Sequence, residues 1–158
     1  MFYIREAEKS DYETIRTFSE FLGNMHAEKR NDIYKISSVY VLSSKEFKKI
    51  LKSKNIFITV IEADGKVIGY CRWQLKICMN NEYLSDRSIC FIDELYIAEN
   101  FRQKGCGKHL YNAVVAKAKE MGATCVELYV WNFNNTASDF YAKLGLTPQR
   151  TLLEYKFE

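Results

Sequence analysis

The chain has 158 residues, 47% of them apolar, and 23 Lys and Arg against 20 Asp and Glu, a formal net charge of +3. That length suits one domain, residues 1–158, with a sizeable core, and so even a charge balance argues against a nucleic-acid binder, which concentrates basic residues. No apolar run approaches the ~20 residues of a membrane helix, so no membrane partner is expected, and the opening MFYIREAEKSD turns charged by Arg5 without a leader's apolar stretch, which makes the cytoplasm the expected location.

Met1 to Ala7 alternates apolar and polar residues and predicts an opening strand. Ser10 to Glu13 reads as a capping box for a helix whose apolar positions Tyr12, Ile15, Phe18 and Leu22 recur every three or four residues, with Gly23 as its stop. Asn24 to Val41 shows no clear period. Ser43 to Glu46 is a second capping box, opening a helix to about Ser53. Asn55 to Glu62 and Val67 to Ile77 are β-branched and aromatic, and Asp64-Gly65 between them predicts a hairpin. After the polar stretch Asn80 to Arg87, Ser88 to Ile97 reads as a largely buried strand. Gly107 to Met121 predicts a helix with Leu110, Val114, Ala118 and Met121 on one face and Gly122 closing it. Thr124 to Trp131 predicts a strand, and Thr136 to Leu144 a short helix capped by Asn134 or Asn135 and ended by Gly145. Thr151 to Phe157 completes the set as a final strand. The order βααβββαβαβ predicts an α/β or α+β domain with a mixed sheet.

The chemistry is expected where the buried strand meets the third helix, through Arg102-Gln103-Lys104-Gly105-Cys106-Gly107. Glycines let the backbone turn sharply, so that successive N–H groups and the positive end of the helix face one concavity. Arg102, Lys104 and Lys108 add charge there, and a diphosphate is the natural guest. The spacing fits neither GxGxxG, because Leu110 stands at the third glycine, nor GxxxxGK[ST]. Cys106 sits where a helix end lowers a thiol's pKa, which invites a nucleophilic reading. The five cysteines are odd in number, with no CxxC pair, so neither a disulfide framework nor a metal site is expected.

The strand followed by Arg102-x-x-Gly105-x-Gly107 resembles the acetyl-CoA motif of the GNAT N-acetyltransferase superfamily, [RQ]xxGx[GA] after a strand that ends, as at Ile97, on an apolar residue. A second block, Leu128 to Asn134, then Ala137 and Phe140-Tyr141-Ala142-Lys143-Leu144-Gly145-Leu146, is similar to the family's LxVxxxNxxAxxFYxKLGF segment, 27 residues on from Gly107 at Asn134. The resemblance implies a GNAT fold, whose mixed sheet splays between the motif strand and the next strand. It implies acetyl-CoA as acyl donor, with the main chain of Leu95, Tyr96 and Ile97 binding pantetheine and Arg102 to Gly107, with Lys108, binding pyrophosphate. Asn134 would touch the cofactor arm, Tyr141 would protonate the departing thiolate, and Cys106 would have no nucleophilic role, because transfer in the family is usually direct and this position is variable in the motif.

Direct transfer also needs a neutral amine, and hence a carboxylate or carboxylate-bound water as base. Asp93 and Glu94 lie on the motif strand. Strand alternation predicts that they face opposite ways, so that only one reaches the acceptor. Asp93 ranks first by resemblance to family members that acetylate small amines, although the family sometimes places a glutamate where Tyr129 stands. Trp73, Trp131, Tyr34 and Tyr40 could line the acceptor pocket, while His26 and His109 are expected to have surface or packing roles. The implied partner is a small-molecule or peptide amine, with a homodimer open. The alternative function is a module that binds acyl-CoA without turnover. Acceptor choice is expected to lie in Met25 to Ser43 and Lys76 to Arg87.

Overall fold

The computed structural model describes residues 2–35 and 40–157. Five strands lie side by side in chain order: β1 (Phe2–Glu6), β2 (Ile56–Ala63), β3 (Lys66–Cys78), β4 (Arg87–Ile97) and β5 (Cys125–Leu128). The first four pair antiparallel, and β5 runs parallel to β4 after a helical crossover, so the sheet is mixed. One face carries α1 (Tyr12–Lys29) and α2 (Ser44–Ile50), and the other carries α3 (Cys106–Glu120) and α4 (Asn135–Lys143).

Period-two alternation explains the two cores. Ile58, Val60, Tyr70 and Tyr96 point toward α1 and α2 and pack with Ile15, Phe47 and Ile50. Cys71, Trp73, Cys90 and Ile92 point toward α3 and pack with Leu110, Val114 and Ala118. The hairpin forms as predicted: Asp64 and Gly65 both take positive φ, 49° and 74°, the requirement of a turn whose twist matches its strands. Ser43 caps α2 by accepting the N–H of Glu46 at 3.2 Å.

Several boundaries differ from the sequence reading. Gly23 does not stop α1, which continues to Lys29 because Ala27 is buried beyond it, and tertiary packing outweighs the ~1 kcal/mol a helical glycine costs. The capping box before α1 lies two residues earlier, between Glu8 and Asp11, and Asp11 also takes two hydrogen bonds from the Arg5 guanidinium at 2.7 and 2.9 Å. α2 ends at Ile50 rather than near Ser53. β5 stops at Leu128, three residues short of its predicted end. Residues 151–157 form no strand, for an alternating segment needs a neighbouring backbone to pair with and, among the described residues, it makes no backbone pairing. Among the described residues, side-chain ion pairs hold the tail, Glu154 to Arg30 at 2.9 Å and Lys156 to Asp32 at 2.6 Å. Ile36 to Val39, within the stretch expected to set acceptor choice, lie outside the described residues. No described helix is long and apolar enough to cross a membrane.

Candidate active site

β4 is paired on both sides over only part of its length. Ile89 to Ile92 face Cys125 to Leu128 on β5, and there β5 ends, while β3 stays paired with β4 up to Gly69 and Ile97. Among the described residues, Asp93 to Ile97 therefore have a strand on one side only. Ala98 N–H donates to Ile68 O at 2.8 Å. Because antiparallel pairing alternates, the main-chain groups of Tyr96 also face β3, and those of Leu95 and Ile97 face the open edge. Arg102 Nε donates to Ile97 O at 2.9 Å, which leaves the Leu95 N–H and C=O and the Ile97 N–H for a guest. Of the three residues assigned by resemblance to pantetheine, the edge thus offers two, and Tyr96 contributes its ring to the α1 core.

The open edge runs into the glycine loop. Gly105 is the N-cap of α3 with φ 81°, and Gln103 is also left-handed at 59°. The first intrahelical bond is His109 N–H to Gly105 O at 3.0 Å, so the amides of Cys106, Gly107 and Lys108 have no helical acceptor. The two glycines serve different ends. Gly105 permits the left-handed turn, whereas a Cβ on Gly107 would lie 3.2 Å from Phe140 Cε2, so its lack of a side chain lets α4 approach the start of α3. Arg102, Gln103, Lys104 and Lys108 are exposed. The Arg102 guanidinium also lies 5.5 Å from the Tyr96 ring, which ties the loop to the end of β4. Cys106 is buried, and burial raises its thiol pKa, the reverse of what a nucleophile needs.

The two carboxylates do not part as alternation predicts. A β-bulge inserts Asp93 opposite the Arg72–Trp73 step, and it turns both side chains toward the α1 and α2 face. Gln74 Nε2 donates to both Asp93 oxygens at 3.0 Å. Tyr70 OH donates to Glu94 Oε2 at 2.5 Å, and Arg72 Nη2 lies 3.2 Å from Glu94 Oε1. Tyr70, Arg72 and Gln74 are alternate residues of one β3 face. Asp93 is exposed, whereas the Glu94 side chain keeps only 13% of its surface in solvent. Burial lifts the Glu94 carboxyl above its ordinary pKa despite Arg72 and Tyr70, which favour the anion.

Arg72 organises this side of the site, and the sequence reading missed it. Its Nη1 donates to Tyr40 OH at 2.7 Å and lies 3.5 Å from Glu46, which accepts from Tyr40 OH at 2.8 Å. Its Nε is buried with no acceptor among the described residues. The available signal was an arginine set between Cys71 and Trp73 in the middle of a strand, which is seldom buried without a carboxylate partner. Beyond the end of β5, Tyr34, Trp131, Phe133 and His26 form an aromatic cluster, with Arg30 4.9 Å over Trp131. Trp73 is not part of the pocket: it is buried on the α3 face, stacked on Phe57 at 4.5 Å, with its N–H bonded to Thr59 Oγ1 at 3.1 Å. His26 and His109 pack against aromatic rings.

Tyr141 lies on the opposite face. Its ring meets Phe140 at 5.1 Å and Tyr111 at 6.5 Å, and it packs against the α3 core. Burial raises its phenol above the ordinary value, with Cys71 and Tyr111 adding to the effect. Asn134 caps α4, its Oδ1 accepting the Ala137 N–H at 3.1 Å, which leaves its Nδ2 as the free donor. Among the described residues no group of three or more His, Cys, Asp or Glu side chains is placed to hold a metal ion.

Residues 19–146 match the model of the acetyltransferase (GNAT) family. The chain belongs to that family. Its five-stranded mixed sheet is the GNAT fold, and the loop and open edge lie within the matched span. An uncharacterized N-acetyltransferase of Lactobacillus delbrueckii subsp. lactis is 32% identical over 91 residues, covering 58% of this chain and 51% of that protein. One from Methanocaldococcus jannaschii is 32% identical over 110 residues, covering 67% and 46%. The chain thus spans about half the length of the curated relatives it matches. Among solved structures, a mutant of the BH1408 protein of Bacillus halodurans superposes with a TM-score of 0.93 at 24% identity, over 99% of both chains. Aminoglycoside N-acetyltransferase AAC(6')-Iy in complex with CoA gives a TM-score of 0.75 at 19% identity, over 99% of this GNAT chain and 95% of that one. Both structural likenesses concern the fold.

Proposed function

We propose that residues 1–158 act as one catalytic domain that transfers the acetyl group of acetyl-CoA directly to an amine of a small molecule or peptide. The observation that carries this reading is the half-paired β4, whose free backbone groups at Leu95 and Ile97 run into the unbonded amides of Cys106 to Lys108. An open edge accepts an extended amide-bearing arm, and a helix start accepts a diphosphate; pantetheine pyrophosphate carries both. Asn134 Nδ2 is positioned as a further donor to the arm.

Acetyl-CoA supplies the thioester carbonyl that the amine attacks. Glu94 is the base on the acceptor face, because a carboxyl with a raised pKa holds a proton better at neutral pH than an ordinary one does. Asp93, exposed beside it, orients the incoming ammonium. Arg72 holds Glu94 in place, and its free Nε offers a donor to a hydroxyl or carbonyl of the acceptor. Tyr141, kept protonated by burial, supplies the proton to the departing thiolate from the other face. The test is calorimetric titration with acetyl-CoA followed by thiol release with pooled amines. Micromolar binding and amine-dependent release are expected, and absent binding would refute the reading.

A further inference from the structure

Residues 40–42, just before α2, reach the Glu94 carboxyl by two separate routes. On the first, Leu42 N–H donates to Ser19 Oγ at 3.3 Å, the Ser19 hydroxyl hydrogen-bonds to the Tyr70 hydroxyl, and Tyr70 OH donates to Glu94 Oε2 at 2.5 Å. Ser19, Leu42 and Tyr70 are buried, and the Phe18 ring stacks on Tyr70 at 6.3 Å. On the second, Tyr40 OH accepts from Arg72 Nη1 at 2.7 Å, while Arg72 Nη2 lies 3.2 Å from Glu94 Oε1. Tyr40 gives its own proton to Glu46 at 2.8 Å, which keeps its oxygen toward the guanidinium. Ser19 stands out for its place: it lies one turn beyond Ile15 on the buried face of α1, where an alanine would pack and would suit the helix better.

The direction of the protons decides what the first route does. A hydroxyl has one proton to give and accepts through its oxygen. Because a fixed backbone N–H takes the Ser19 oxygen, the Ser19 proton turns to Tyr70, and the Tyr70 proton turns to Glu94. Every donor points at the carboxylate, and bonds aligned in this way polarise one another. We infer that Ser19 and Tyr40 are positioning residues for Glu94, acting through Tyr70 and Arg72, so that the seating of residues 40–42 holds this carboxyl in place and favours its anion. This rests on the reading of Glu94 as the base. Facing the carboxyl are Tyr70 and Arg72 on β3, which favour the anion, and Asp93 beside it and Glu46 on α2, which oppose it together with burial, the largest effect. Tyr40 faces it through Arg72. The two routes therefore offset part of what burial does, and they tie the ionisation of the base to the segment that joins α1 to α2.

The test is a pH titration of the Glu94 carboxyl by carbon-13 NMR on the folded full chain, in the wild type, Ser19→Ala, Tyr40→Phe and the double variant. The pH dependence of thiol release from acetyl-CoA with pooled amines is measured beside it. Each single substitution should raise the Glu94 pKa by ~0.3 unit or more, because a bond one step back in the line carries a fraction of the ~1–2 units of a direct donor to a charged group. The two shifts should add, since the routes share no residue before Glu94. The rising limb of the rate should move up with them. A merely structural role has the opposite sign: a loosened site admits water, and water lowers a carboxyl pKa that burial has raised. An unmoved or lowered Glu94 pKa in either single variant would overturn the inference. A carboxyl that shifts as expected under a limb that stays put would uphold it and remove Glu94 as the base, so the two failures are told apart.

Discussion

The two halves of β4 differ in composition and in fate. Ile89 to Ile92 lie between two strands and contribute Cys90 and Ile92 to the α3 core. Asp93 to Ile97 have β3 alone, and the bulge at Asp93 marks the change. The paired half supplies stability, and the open half supplies unspent hydrogen-bonding groups and two carboxylates. One strand can serve both ends because β5 is four residues long. A partner strand extended to Trp131 would close the edge on which the proposed cofactor site depends.

Substitutions on either side of Asp93 break this contrast in different ways. Glu94→Gln, on the open half, should lower turnover of the amine by ~10²–10⁴ and leave acetyl-CoA affinity within twofold, as checked by steady-state kinetics and titration. The pH dependence carries a sign. A carboxyl with a raised pKa stays protonated to higher pH, and a base works only when ionised. The wild-type rate should therefore rise with pH through a value above the ordinary ~4.3 of glutamate, and that limb should vanish in the variant. Ile92→Ala, on the paired half, should do the reverse. It should cost ~2–4 kcal/mol of folding stability, read by denaturant unfolding, with acetyl-CoA affinity kept in the folded fraction. Across the sheet, Tyr141→Phe should lower kcat by ~10²-fold with cofactor affinity unchanged, the smaller end of the range for a positioned acid. Asp93→Asn should have the least effect, a severalfold rise in KM for a cationic amine, because its carboxylate is exposed and solvent weakens such attractions to ~1 kcal/mol or less.

Local rules carried the sequence reading a long way. The Asp64-Gly65 turn, the Ser43 cap, the Asn134 cap and the glycine loop each rest on a few adjacent residues, and each appears in the structure. What was not legible depends on partners distant in sequence. Asp93 and Glu94 read as opposed because alternation holds until a bulge, and nothing in SICFIDELYI announces one. The ranking of Asp93 over Glu94 ignored burial by Tyr70 and Arg72, which lie 24 and 22 positions away from Glu94. Gly23 read as a stop because the buried Ala27 beyond it was not visible. Thr151 to Phe157 read as a strand by composition, which fixes a face but not the edge that pairs with it.

The central claim is that the open edge of β4 is filled by acetyl-CoA. Residue-resolved amide exchange with and without saturating acetyl-CoA tests it most directly. The Leu95 and Ile97 amides should slow at least tenfold on binding, together with those of Cys106 to Lys108, while Tyr96 and Ile89 to Ile92, already paired, should not change. Acetyl-CoA binding that leaves Leu95 and Ile97 exchanging at the free rate would contradict the account.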